Sequence, residues 1–230
     1  MMYDKTKKNM ISHVNDSKYV STFVLVATRI AERAGKRLSH YFRKEAPIAR
    51  GTVKEVKTVY DEIADKIIKD AIEQNFPNHS YLTEETGLVE KEKEYLWLID
   101  PLDGTSNFAN HNPMFAVSIA LWYKGEPILG VIEAPMLHER FVAVVHKGAY
   151  HYDLLRRRKS QAHISWIDQL DRAYVVYCEG GEKDKKRLVH LLSNLYLRVK
   201  DTRKLGSAAL ELAWVGMGRS DGYVTTQISL

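Results

Sequence analysis

Residues 97–108 read Trp97-Leu98-Ile99-Asp100-Pro101-Leu102-Asp103-Gly104-Thr105-Ser106-Asn107-Phe108. An apolar run here delivers two carboxylates just before a Gly-Thr turn able to open a helix. Pro101 has no backbone N–H for a ladder, so the strand is expected to end there and leave both Asp side chains in a short turn. Two hard-oxygen ligands three residues apart can share a Mg²⁺ pair. Gly104 lets the backbone approach a phosphate closely, and the N–H groups of a following helix meet its negative charge. The same residues admit a plainer reading, with Asp103 as a helix N-cap and Asp100 as a turn residue.

A chain of 230 residues with 45% hydrophobic content is long enough for one substantial core or two closely fused subdomains. The single Cys178 excludes an internal disulfide framework, and the nine histidines show no His-x-x-x-His pair and no companion Cys at zinc spacing. Zinc and thiol chemistry are therefore disfavoured. No apolar stretch reaches the roughly 20 residues a membrane helix needs, and Met1 to Asn15 is too polar and Lys-rich for a secretory signal. A cytoplasmic protein with no membrane partner is expected. Net charge is +5, with Arg156-Arg157-Arg158-Lys159 as a concentrated basic run. That run lacks interleaved aromatic residues and reads as a solvated loop, which weighs against nucleic acid as a partner.

Working outward from residues 97–108, the upstream chain is helical. Val20, Phe23, Ala27, Ile30, Ala34, Leu38 and Tyr41 recur at three- and four-residue steps, so 16–44 reads as a long amphipathic helix after a loose extension over 1–15. A second helix is expected from about Tyr60 to Asn75, stopped by Pro77. Downstream the period changes to two. Phe115, Val117, Ile119 and Leu121 alternate with smaller residues, Lys124-Gly125-Glu126 can turn into 128–134, and 141–145 supplies another strand. Consecutive strands with short turns predict an antiparallel sheet covered by the two early helices. Beyond the basic run, strands at 173–177 and 221–225 and helices at 185–196 and 206–216 predict a smaller α/β half. The expected division is a metal-binding half over 16–150 and a substrate half over 151–230, with 147–162 as the junction. Gly216-x-Gly218 follows a helix instead of a strand, which sets aside a dinucleotide-binding reading.

The string Asp100-Pro101-Leu102-Asp103-Gly104-Thr105-Ser106-Asn107-Phe108 resembles the Asp-Pro-(Ile/Leu)-Asp-Gly-Thr-x-Asn-Phe signature of the inositol monophosphatase family of lithium-sensitive, magnesium-dependent sugar phosphatases. Four further segments match in the family's order along the chain. Glu84 and Glu85 match the family's Gly-Glu-Glu turn, with Thr83 in place of the Gly. Glu55 to Asp61 resembles the Asp-x-x-Thr-x-x-Asp stretch, retaining Thr58 and Asp61 with Glu55 at the first acidic place. Gly206-Ser207-Ala208-Ala209 resembles the Gly-(Ser/Thr)-Ala-Ala segment, whose backbone contacts substrate. Asp221-Gly222-Tyr223-Val224 also matches, and Thr225 falls where animal inositol phosphatases carry a Glu that holds a ring hydroxyl.

The resemblance implies a layered αβαβα sugar-phosphatase fold, an α/β (α+β) class, and hydrolysis of a sugar or inositol phosphate monoester by metal-activated water. Glu84, Asp100, the Leu102 carbonyl and Thr105 would hold a first Mg²⁺, Asp100 and Asp103 a second, and Glu84 with Asp61 a weaker third. Asp61 and Thr105 would orient and deprotonate the water. Asp103, Gly104, Thr105, Gly206, Ser207, Ala208 and Thr225 would bind substrate. A homodimer is implied as well. Fructose-1,6-bisphosphatase activity, or a non-catalytic RNA-associated role, stands as the alternative. The family continues into a Trp-Asp-x-Ala-(Ala/Gly)-Gly motif that the 230 residues do not contain, so a C-terminally truncated version of the fold is expected.

Overall fold

A computed structural model describes residues 17–42, 44, 48–50, 57–178 and 185–226. The loose extension over 1–15 and the acidic place at Glu55 lie outside these residues. Helix α1 runs Ser17–Tyr41 and α2 runs Val59–Asn75. The expected stripe is the one that packs: Val20, Phe23, Ala27, Ile30, Ala34 and Leu38 are all buried, as are Ala64, Ile68, Ala71 and Ile72 of α2. The short pair β1 (Ile48–Arg50) and β2 (Lys57–Thr58) precedes α2.

The main sheet has eight strands: β3 (His79–Thr83), β4 (Gly87–Val89), β5 (Glu92–Asp103), β6 (Ala116–Tyr123), β7 (Glu126–Ala134), β8 (Glu139–Val144), β9 (Gly148–Asp153) and β10 (Arg158–Gln161). Their order is β10-β9-β8-β7-β6-β5-β3-β4. The expected antiparallel pairing holds everywhere except between β3 and β5, which run parallel, so the sheet is mixed. The chain turns from β3 into β4 on one side of β3 and then crosses to the other side, which returns β5 in the direction of β3.

Residues 147–162, expected as a junction, contain the whole β9–β10 hairpin at the sheet edge, and β9 spans residue 150. The basic run occupies the tip and outer strand of this hairpin. It has the aromatic neighbours that adjacent sequence lacks, since cross-strand register puts Lys159 Nζ 3.9 Å from the Tyr150 ring and 5.5 Å from the Tyr152 ring.

A second, three-stranded parallel sheet has the order β12-β11-β13, from Asp201–Arg203, Tyr174–Tyr177 and Gly222–Val224. Helix α4 (Lys185–Tyr196) connects β11 to β12, and α5 (Ala208–Gly216) connects β12 to β13. The larger core joins α1 and α2 to Val117, Ile119, Leu121, Leu129 and Val131. A smaller core packs Leu210 of α5 on Ala116, Ala134 and Phe141. Side chains alternate along a strand, so α5 lies on the sheet face opposite the two long helices. Among the described residues no helix is long and apolar enough to cross a membrane.

Candidate active site

The strand β5 does not end at Pro101 but continues to Asp103 through a bulge. Asp100 pairs with Ser118 and Asp103 with Ala116, so Pro101 and Leu102 together oppose Val117. A bulge leaves its extra residue outside the ladder, which is where a residue lacking N–H is tolerated. The consequence is chemical. In a regular strand, residues three apart point to opposite faces; here their partners Ser118 and Ala116 are two apart, so both carboxylates face the α5 side. The Leu102 N–H donates to Asp100 Oδ1 at 3.1 Å and fixes its direction.

Burial raises the Asp100 pKa well above its ordinary value, and the charges of Asp103, Glu84 and Asp61 push it further up. Four sequence-predicted carboxylates therefore feel one another at this turn. Glu84 is exposed in the β3–β4 connection. Thr83, at the place where glycine was expected, is buried and shapes that turn by accepting the Thr86 N–H at 2.9 Å.

Asp61 does two jobs at once. Its Oδ2 accepts the Thr58 N–H and hydroxyl, both at 2.7 Å, closing a capping box at the start of α2. Its Oδ1 lies 2.8 Å from the Thr105 hydroxyl, which is also 2.9 Å from the Leu102 carbonyl. Burial raises the Asp61 pKa, and the Thr58 and Thr105 hydrogen bonds only partly offset it. Capping and contact with Thr105 thus coexist in one side chain.

Asp103 is the hinge between the two sheets. Its Oδ2 accepts from the Ser207 hydroxyl and from Ala209 N–H at 2.9 Å, and its Oδ1 from Ala208 N–H at 3.1 Å. A carboxylate at a helix N-terminus meets both free N–H groups and the positive end of the dipole. Burial still raises its pKa, against the pull of these donors. Ser207 is fully buried as the N-cap of α5, so its hydroxyl is committed to Asp103 and the cap. Gly104 has φ +91°, and a Cβ there would lie 2.9 Å from the Met114 carbonyl and 3.2 Å from that of Gly206. Its glycine is required by protein backbone, whatever else approaches. Thr225 is half-buried just beyond β13.

Two residues enter the site without having been assigned a role there. Asn107 Nδ2 donates to the Met114 carbonyl at 2.6 Å and the Leu205 carbonyl at 2.7 Å, tying the short helix α3 (Thr105–Ala109) to the Gly206 loop. Glu211 is fully buried, and its Oε1 accepts the N–H groups of Leu205 at 2.7 Å and Gly206 at 3.1 Å. Burial lifts its pKa to about 7. The available signal was a lone charge in the otherwise apolar stretch 208–216.

The donor set suits a hard divalent cation. Carboxylates crowd a buried turn and destabilise one another's charge, and Asp103 Oδ1 accepts only one of the hydrogen bonds described above. Among the described residues no group of three or more Asp, Glu, His or Cys side chains comes together that could by itself hold a metal ion. Mg²⁺ keeps several waters and takes only one or two carboxylates, so an open donor set is compatible with it.

The chain is similar to known proteins over most of its length. A profile of the inositol monophosphatase family matches residues 20–229. A protein named Nus factor SuhB from Pasteurella multocida is 34% identical over 205 residues, covering 86% of this chain and 74% of the relative. Inositol monophosphatase 2 from Solanum lycopersicum is 33% identical over 207 residues, with 86% and 76% covered. The crystal structure of the extragenic suppressor protein suhB from Bartonella henselae superposes with a TM-score of 0.84 at 28% identity, covering 90% of this chain and 80% of that one.

Proposed function

The chain belongs to the inositol monophosphatase family of phosphomonoesterases, and from that premise we propose that it hydrolyses a sugar or inositol phosphate monoester in a Mg²⁺-dependent reaction. The observation that carries the proposal is the 2.8 Å contact between Asp61 Oδ1 and the Thr105 hydroxyl beside the Asp100–Asp103 bulge. Residues 44 positions apart meet there for no purpose that the capping box, already complete through Oδ2, requires.

In this reading Glu84, Asp100, the Leu102 carbonyl and Thr105 would hold one ion, Asp100 and Asp103 a second, and Glu84 with Asp61 a third. The chemistry that Mg²⁺ would supply when held there is a lowered pKa of a bound water and neutralisation of charge on the leaving oxygen. Asp61 and Thr105 orient the attacking water, and Asp61 takes up its proton. The Asp61 carboxylate is suited to that step because burial has already made it more basic than an ordinary Asp. The backbones of Gly104, Gly206 and Ala208 would face the ester, the two glycines being required by close packing against Met114 and Asn107, and Ser207 would act through its hold on Asp103. Inhibition by lithium and a homodimeric state belong to the same proposal.

The test is phosphate release from inositol 1-phosphate and fructose 1,6-bisphosphate with Mg²⁺ and with EDTA. Turnover should vanish with EDTA, and Asp61→Asn should lower kcat by about 10²- to 10⁴-fold. Metal-independent turnover, or a D61N variant at the parent rate, would falsify the assignment. The ratio of the two rates selects the substrate.

A further inference from the structure

The two N-terminal helices carry a second surface that shares no residue with the candidate active site. Between α1 and α2 lies an open trough of about 600 Å³. One wall is Arg33, Lys36, Arg37 and His40, successive residues of one α1 stripe, all exposed. The other is the α2 stripe Ile63, Lys66, Ile67, Asp70 and Gln74. Four permanently charged cations thus face one carboxylate. Two cations have local partners, Lys36 with Glu32 and Lys66 with Asp70 at 2.9 Å, and Glu32 is itself shared with Arg140 at 3.1 Å. The trough remains cationic at its rim and aliphatic at its floor, where Ile63 and Ile67 are half-buried.

That combination selects its ligand. A single-stranded nucleic acid needs exposed rings on which bases stack. The nearby Tyr41 ring is stacked on Tyr60 at 4.6 Å and approached by Arg37 at 4.7 Å and Lys44 at 5.0 Å. An aliphatic floor between cations instead matches a helix bearing an apolar stripe flanked by acids. The α2 wall runs over twelve residues, Ile63 to Gln74, whose eleven steps of 1.5 Å make about 16 Å, or three turns of a partner helix. A helix resting in the trough would pack on α1 and α2 together, at the usual interaxial spacing of about 8–10 Å.

We propose that the α1–α2 trough is a docking site for an acidic amphipathic helix of a partner protein. The test uses the full chain and three labelled probes read by fluorescence anisotropy at near-physiological salt. They are a helical peptide of about 18 residues with Leu at i, i+4 and i+7 flanked by Glu, its Ser-for-Leu analogue of equal charge, and an oligouridylate of similar length. The Leu peptide should bind at least about tenfold more tightly than either other probe. The double variant Arg33→Glu/Arg37→Glu should weaken it by about tenfold or more while leaving the melting temperature and phosphate release of the parent intact. Equal binding of the Ser analogue, tighter binding of the oligouridylate, absence of binding, or indifference to the double variant would each overturn the proposal. Arg33→Gln/Arg37→Gln gives the same reading should charge reversal disturb folding.

Discussion

Gly104 shows how one residue can be fixed twice over. Its φ of +91° is a conformation that a Cβ disfavours, and the space that Cβ would occupy is taken by the carbonyls of Met114 and Gly206. Backbone atoms cannot swing away as a side chain can. Gly87 separates the two effects, because it has φ +77° but open space, with nothing within 4 Å of where a Cβ would sit. Gly87→Ala should cost about 1 kcal/mol from conformation alone. Gly104→Ala should cost about 2–4 kcal/mol and also lower turnover, since one colliding carbonyl belongs to Gly206. Urea midpoints of the two variants check the difference, and equal midpoints would mean that the close approach carries no weight. The glycine itself was legible in the Asp-Gly-Thr string. Its neighbours at Met114 and Gly206 were not, because no local pattern states which distant carbonyls will pass within 3.2 Å.

At the level of elements, the start of β3 carries a titratable group inside an aromatic stack. His79 lies 4.4 Å from the Tyr95 ring and 4.9 Å from Phe76, and its Nδ1 accepts the Trp97 indole N–H at 3.1 Å. Accepting at Nδ1 puts the proton of the neutral ring on Nε2. Burial lowers its pKa to about 4. The unfolded chain, with an ordinary histidine near 6.5, then binds more protons than the fold between these values. The stabilisation from neutral His79 is complete above about 6.5 and is lost as pH falls toward 4, by about 2 kcal/mol once partial exposure is allowed for. Urea unfolding at pH 7 and pH 4.5 should show this slope, and His79→Gln should flatten it. A slope unchanged in the variant would assign the acid sensitivity elsewhere. The long helices and the strands β5, β6, β7, β8, β11 and β13 were legible, since burying one face forces a period on the sequence, whereas short strands such as β3, β4 and β12 carry too few residues to show one. The β9–β10 hairpin was not legible either, because its exposed outer strand, Arg158–Gln161, has no apolar alternation to read.

Across the whole molecule, a few polar contacts join the parallel sheet to the large one. Asp103 holds the start of α5, Asn107 the loop before it, and Arg219 the chain beyond it. Arg219 makes a two-pronged contact with Glu139 of β8, 2.7 Å on each side, while His151 lies 3.1 Å from the same carboxylate. Burial alone would raise the Glu139 pKa, yet Arg219 and His151 together bring it below the ordinary value. Arg219→Gln should cost about 1–3 kcal/mol and speed amide exchange in β11 and β13 before β6 and β7. Simultaneous exchange of both sheets would show that they open as one unit. The same joints give Asp103→Asn two effects, because that residue secures α5 as well as facing Asp100. Loss of turnover in that variant would mix two causes, which makes Asp61→Asn the cleaner probe of chemistry.

Local sequence was sufficient for the two amphipathic helices and for the alternating strands, and the short strings that resemble a known family carried the fold class. Those features are written in periodicity and in short strings whose spacing matters within a dozen residues. It took the folded arrangement to reveal that a bulge, not a strand end, turns Asp100 and Asp103 to one face. Strand register across β5 and β6 sets that, and a proline reads the same in either setting. Folding likewise brought Asp61 to Thr105, Asp103 to the start of α5 and Asn107 to the Leu205 carbonyl, across separations from 44 to 106 residues. Contacts at such range depend on how whole layers pack, and packing distributes its causes over every buried side chain.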